Sequence, residues 1–189
     1  MAESSAGAPV TQATGVRRIL VVCTGNICRS PFGEIVLRER LAGTGIDVSS
    51  AGIGALEGHP VEPAMVVELE KRGMRADGFR AHQIDAFDVQ DADLILVMSR
   101  RQRRFITEEW PRAAKKTVLM GAAPSIADEL DGPDPASAVQ TVARRGNAEV
   151  VEVEDPYRKD PGVFSRVADE IDAAATALAD ALIRAGRRA

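Results

Sequence analysis

Cysteine is scarce in this sequence: Cys23 and Cys28 stand alone, which excludes a disulfide framework and points to a reducing, cytoplasmic setting. Four-ligand zinc sites are disfavoured too, because two thiols inside one tight loop lack partners at metal-ligand spacing to complete a tetrahedron. No apolar run approaches the ~20 residues that cross a bilayer, so no membrane insertion is expected. A basic region followed by an apolar stretch is missing from the first residues, so no secretory signal is read. No Gly-x4-Gly-Lys-Ser/Thr run offers a nucleotide cradle. Excess positive charge is absent as well. A net charge of −4 argues against nucleic acid as a partner, and the basic cluster Arg100-Arg101-Gln102-Arg103-Arg104 reads as a solvated helix face.

What is present is an ordinary globular composition, 45% hydrophobic and 28% charged over 189 residues, enough for one domain with a full core. Residues 1–16 are rich in Ala, Ser, Gly and Thr and read as a flexible tail before a domain over 17–189. Short apolar runs at 18–22, 46–49, 93–98 and 117–120 suit strands buried on both faces. Helix-like segments fall between them, which predicts a single-domain three-layer α/β/α fold with a four-stranded parallel sheet. Ser30-Pro31 opens the first helix, which stops at Gly43; a second covers 63–72 with Met65, Val66 and Leu69 inward. Ser99 caps a third. The last helix begins at Asp160-Pro161 and repeats Val163, Val167, Ile171, Ala174, Leu178 and Leu182 at helical spacing. The Pro- and Asp-rich stretch at about 121–150 reads as a surface insertion, with a helix over 137–145 and a short strand at 150–153.

The most informative feature is the loop Cys23-Thr24-Gly25-Asn26-Ile27-Cys28-Arg29-Ser30-Pro31, directly behind the strand Ile19-Leu20-Val21-Val22. A turn followed at once by a helix converges backbone N–H groups on one point, and such a point binds anions. A thiol there is favoured as thiolate; cysteines in comparable surroundings titrate at ~3.5–7.5 instead of about 8.5. Arg29 adds a planar fork matched to two oxygens of a tetrahedral oxyanion. Gly25 is expected to take backbone angles that a side chain forbids, Asn26 a left-handed conformation, and Ser30 to donate to the sulfur. The guest that fits is a phosphate monoester, attacked in line by the sulfur to give a cysteinyl-phosphate.

Expelling an aryl oxygen calls for an acid, worth ~10²–10⁴-fold. Asp-Pro pairs hold a carboxyl on a stiffened backbone, and three occur: Asp134-Pro135, Asp155-Pro156 and Asp160-Pro161. Asp134 lies in the acidic insertion and Asp160 caps a helix, which leaves Asp155, beside the aromatic Tyr157. No cofactor or metal is needed for this chemistry.

With these residues placed, the chain resembles the low-molecular-weight protein tyrosine phosphatases. The likeness rests on the loop from Val22 to Pro31, on Ser50-Ala51-Gly52 and on Asp155-Pro156-Tyr157. It implies Cys23 as nucleophile, Arg29 as phosphate clamp and Asp155 as general acid and then base. It also implies a phosphate-binding loop of Thr24, Gly25, Asn26, Ile27, Cys28 and Ser30 supported by Ser50. Ser50-Ala51-Gly52-Ile53-Gly54-Ala55-Leu56 and Asp155-Pro156-Tyr157-Arg158-Lys159 are similar to the bacterial branch that acts on autophosphorylated tyrosine kinases of exopolysaccharide synthesis. Leu56 and Tyr157 would there wall the substrate pocket around a phenyl ring. The resemblance therefore implies a phosphotyrosine protein as substrate.

One departure concerns the histidine that braces the loop in relatives. Phe79-Arg80-Ala81-His82-Gln83 stands where the family has His-x-Ala-Arg-Gln, so His82 is placed at the surface or just behind the loop, and His59 in a loop. Arsenate reductases of the same scaffold need further cysteines downstream, and none follows Cys28. Protein arginine phosphatases carry threonine where this chain has Ile27, and rank second; a silent phosphotyrosine-binding module conflicts with an intact Cys23, Arg29 and Asp155. Cys28 reads either as a small buried residue or as a resolving thiol for oxidised Cys23.

Overall fold

A computed structural model describes residues 14–145 and 150–188. Four parallel strands, β1 (Arg18–Cys23), β2 (Asp47–Gly52), β3 (Leu94–Val97) and β4 (Thr117–Leu119), form one sheet in the order β2-β1-β3-β4. The expected single-domain α/β sandwich with a four-stranded parallel sheet is what the chain adopts. β1 is central, with Val22 level with Ala51 of β2 on one side and with Val97 of β3 on the other. Alternate strand residues face opposite layers. Ile19, Val21, Cys23, Leu94 and Leu96 join the larger core, whereas Leu20, Val22, Ile95 and Val97 join the smaller.

The larger core is roofed by α1 (Arg29–Arg40), α2 (Pro63–Glu70), α5 (Ala123–Leu130), α6 (Ala138–Arg145) and α7 (Pro161–Arg188). The smaller is covered by α3 (Ala86–Asp91) and α4 (Arg100–Glu109). α7 buries Phe164, Val167, Ile171, Ala174, Leu178 and Leu182, close to the stripe expected of it, with Val163 only half covered. Ser99 caps α4 as expected, and Gln102 completes a capping box. α1, α2 and α7 are tied by Arg72, which contacts Glu68 at 3.1 Å and Asp172 at 3.1 Å while Arg40 reaches Asp172 at 2.8 Å.

β1 and β3 are neighbours although β2 intervenes in sequence, so the connections leave the sheet in opposite directions at their carboxyl ends. Crevices of α/β sheets open at such a switch point. Cys23 is the last residue of β1 and Met98 follows β3, which fixes where the site must lie.

Three expectations are corrected. Of the 121–150 stretch, residues 121–145 are not a surface insertion. α5 and α6 pack into the larger core through Ile126, Leu130, Val139 and Val142, all buried. Their burial is worth ~1.5–3 kcal/mol for each large side chain. The expected helix over 137–145 is present as α6, but no strand forms at 150–153; there, the amide of Val153 donates to Met98 O at 2.9 Å. Thr14 and Val16, assigned to the tail, are buried, and the rest of that tail, residues 1–13, lies outside the described residues.

If 121–145 is core, Leu130→Ala should cost ~2–5 kcal/mol of unfolding free energy in urea denaturation. A loss within about 0.5 kcal/mol, the range of surface substitutions, would return the segment to the surface.

Candidate active site

The loop after β1 owes its shape to where its carbonyls go. Cys23 O accepts from Ile53 N at 3.1 Å, Thr24 O from Gly54 N at 3.0 Å, Gly25 O from Leu56 N at 3.0 Å and Ile27 O from Glu62 N at 2.8 Å. With the carbonyls spent on the outer side, the trans peptide planes turn the intervening N–H groups inward. The amide of Asn26 reaches Cys23 Sγ at 3.3 Å. Gly52 is what lets β2 approach this closely, since a Cβ there would sit 2.5 Å from Thr24 O. Asn26 takes the left-handed conformation expected of it, with φ of 53°. Gly25 does not: its φ is not in the positive range, and a Cβ would meet Ile27 at an ordinary 3.6 Å.

The buried hydrogen bonds around Asn26 are oriented by its amide, with Ser30 Oγ near two further partners, Cys23 Sγ at 2.9 Å and Ala51 O at 3.4 Å. Its Oδ1 accepts from the backbone N–H of His82 at 2.8 Å, which orients the amide. Both protons of Nδ2 are then donated, to Ser30 Oγ at 2.8 Å and to Ser50 Oγ at 2.8 Å. Each serine, already accepting, turns its own proton outward. Ser50 donates to Glu34 Oε2 at 2.5 Å, and Ser30 faces Cys23 Sγ at 2.9 Å. A hydroxyl proton aimed at the sulfur favours its anion. Ser50 thus bridges Asn26 of the loop and Glu34 of α1. His82 contributes through its backbone; its ring is half exposed and pairs with Asp88 at 2.8 Å. Burial pushes the Glu34 carboxyl above the usual range, opposed by Ser50 and Arg38.

Arg29 opens α1 and is 5% exposed. One terminal nitrogen donates to Val153 O at 3.1 Å and the other pairs with Asp155 at 2.7 Å, while Nε is buried without a partner. A buried N–H of a guanidinium left unpaired costs stability, and an oxyanion in the pocket would satisfy it. The pocket is a cavity of about 200 Å³ lined by Cys23, Thr24, Gly25, Ile27, Cys28, Arg29, Gly54, Leu56, Asp155 and Tyr157. Leu56 and Tyr157 stand at its mouth, each 39% exposed. The Arg158 guanidinium covers the outer face of the Tyr157 ring at 5.1 Å. Of the three Asp-Pro aspartates, only Asp155 lines it. A larger cleft of about 730 Å³ at Val89, Trp110 and Lys116 contains no cysteine, serine or histidine.

Both cysteines are free and buried. Burial, with the charge of Cys23 next, pushes the Cys28 thiol far up, so the two sulfurs sit in unlike fields. Among the described residues one cluster, His82, Asp85 and Asp88, could gather on a metal, but its atoms are already committed. Asp85 caps α3 through Phe87 N and Asp88 N, and Asp88 accepts from the Asp85 amide.

Sequence reasoning missed Glu34 and Gln102. Glu34 is a carboxyl on an otherwise apolar helix face, four residues after Ser30, and that misfit was the available signal. Gln102 accepts from Met98 N and Ser99 N and donates to Thr24 Oγ1 at 3.2 Å, tying β3 and α4 to the loop.

Residues 18–145 match the family model for low molecular weight phosphotyrosine protein phosphatase. A probable low molecular weight protein-tyrosine-phosphatase, EpsP of Ralstonia solanacearum, is 37% identical over 149 residues, covering 79% of this chain and 84% of that one. Among solved structures, the tyrosine phosphatase Wzb from Escherichia coli K30 in complex with sulphate is 31% identical with a TM-score of 0.68, over 87% of this chain and 97% of that one. An arginine phosphatase, YwlE from Geobacillus stearothermophilus, is 26% identical with a TM-score of 0.73, over 89% and 94%.

Because burial disfavours the Cys28 thiolate, iodoacetate near neutral pH should label Cys23 and spare Cys28. Fragmentation mass spectrometry of the peptide carrying both reads the ratio; preferential labelling of Cys28 would contradict the assignment.

Proposed function

The chain belongs to the low molecular weight phosphotyrosine protein phosphatase family, and from that premise we propose that it hydrolyses phosphotyrosine in proteins through a cysteinyl-phosphate on Cys23. The observation that carries this reading is the sulfur at the floor of a pocket whose walls supply one guanidinium, Arg29, and one carboxyl, Asp155.

In the first step Cys23 Sγ attacks phosphorus. The S–P bond forms as the P–O bond to the aryl group breaks, and Asp155 delivers its proton to the departing oxygen. Arg29 and the inward amides hold the phosphoryl oxygens, where charge is spread in the transition state. The phosphoryl group competes with Asp155 for Arg29, so arrival of substrate frees the carboxyl to face the leaving oxygen. In the second step the Asp155 carboxylate takes a proton from water. The water oxygen attacks phosphorus, the S–P bond breaks, and phosphate leaves with the thiolate restored. Thr24, Gly25, Asn26, Ile27, Cys28 and Ser30 form the cradle, and residues 17–189 act as one catalytic domain.

Ile27, Leu56 and Tyr157 give the pocket apolar walls that suit a phenyl ring. A guanidinium leaving group would need polar partners there, so phosphotyrosine is favoured over phosphoarginine. The physiological partner in this reading is an autophosphorylated bacterial tyrosine kinase, met in the cytoplasm. No helix among the described residues is long and apolar enough to cross a membrane.

Cys23→Ser should abolish turnover of p-nitrophenyl phosphate, and Asp155→Ala should lower kcat on aryl phosphates by ~10²–10⁴-fold while Asp134→Ala leaves it unchanged. The reverse order of the two aspartates would place the acid elsewhere. A phosphoarginine protein hydrolysed faster than a phosphotyrosine peptide would move the chain to the second specificity.

A further inference from the structure

The acid sits on a segment with no ladder to hold it. Residues 150–155 have no regular secondary structure, and Asp155 itself is half exposed. Its placement beside Cys23 draws on its own contacts with Arg29 at 2.7 Å and the Tyr157 amide at 3.2 Å, and on contacts made by the residues before it. Four sets are visible, one of them Glu154 with Lys159 at 2.6 Å and with Arg166. The carboxylate of Glu152 accepts from the Arg100 backbone N–H at 2.9 Å and from its guanidinium at 3.0 Å. That same guanidinium donates to Val150 O at 2.8 Å. Val153 is held at both polar atoms, its N–H by Met98 O at 2.9 Å and its C=O by Arg29 at 3.1 Å.

From these contacts we infer that Arg100, Glu152 and Gly121 form a latch that positions Asp155 for proton transfer; the inference rests on Asp155 being the acid. Arg100 is the first residue of α4, so the Glu152 carboxylate lies at the positive end of that helix, bonded to an N–H with no helical acceptor. The hydrogen bond from the Arg100 amide holds this carboxyl below the usual glutamate range. One arginine thus grips the segment at Val150 and at Glu152, and the grip is anchored where β3 passes into α4. From the other side Gly121 makes room: a Cβ there would lie 2.5 Å from Val151 O and 3.1 Å from the Val150 side chain. Asp155 follows Val153 by two residues, so a shift of the segment carries the carboxyl with it. Misplacement by about 1 Å can cost ~10²-fold in a proton transfer.

Arg100 and Glu152 are positioning residues in this scheme, and the leaving group distinguishes that role from a structural one. p-Nitrophenolate departs with little proton help, whereas phenolate needs the acid. Glu152→Ala, Arg100→Ala and Gly121→Ala should each lower kcat/KM for phenyl phosphate by on the order of 10- to 10²-fold more than for p-nitrophenyl phosphate. Loss of folded enzyme scales both substrates alike and cannot produce that split. Glu152→Gln, which keeps an acceptor oxygen, should recover most of the loss. In an Asp155→Ala background Glu152→Ala should remove nothing further. Equal losses on the two substrates, or losses that multiply in that background, overturn the latch. If Asp155→Ala itself shows no leaving-group split, the acid assignment fails and the latch with it; a split there but not in Glu152→Ala refutes the latch alone.

Discussion

Everything at this site depends on the hydrogen-bonding valence of one buried amide. Asn26 has one acceptor and two donor protons, and the structure spends all three. The His82 backbone N–H fixes which end is oxygen. Both serines must then accept from Nδ2, and only their own protons remain to be placed. Ser30 then has the sulfur at 2.9 Å as its nearer acceptor and Ala51 O at 3.4 Å as the other, and Ser50 has Glu34. A side chain that could rotate its roles, such as a lone serine, would leave the direction of the chain undetermined. An amide pinned at its carbonyl determines it.

The fold explains why this can be rigid. β1 is hydrogen-bonded on both edges, and Cys23 at its end is level with Gly52 of β2. The loop carbonyls are bound by the segment that follows β2, its Asn26 by the segment before α3, and its Thr24 by Gln102 of α4. Each anchor lies at the carboxyl end of the sheet, where the connections diverge. The histidine ring that the resemblance leads one to expect behind the loop is not needed for this. Here the His82 backbone N–H and the Ser50–Glu34 pair brace Asn26, with Phe79 standing at the position of that histidine.

Much of this was legible beforehand, for physical reasons. Buried parallel strands are short apolar runs, and the four of them were found within a few residues. The Cys23-to-Pro31 loop carries its chemistry in consecutive residues, so no long-range information was required. Of the three Asp-Pro aspartates Asp155 alone lines the pocket, although the surface insertion that set Asp134 aside is not what the chain forms. The failures share a cause. Prolines and aspartates in 121–150 raise the polarity enough to hide the spaced apolar residues Ile126, Leu130, Val139 and Val142, whose burial depends on α7 and not on local pattern. Val150 to Val153 alternates as a strand does, yet its one sheet-like bond is to Met98, beyond the end of β3. Glu34 and Ser50 come from different elements, and nothing in either neighbourhood announces the other.

The most direct test of the ordered proton chain is the ultraviolet absorbance of thiolate near neutral pH, taken as the difference between the wild-type protein and Cys23→Ser, and repeated in a Ser30→Ala background. The account predicts a thiolate signal in the wild type that diminishes when the Ser30 hydroxyl is removed. A wild-type difference with no thiolate component, or one that Ser30→Ala leaves untouched, would contradict it.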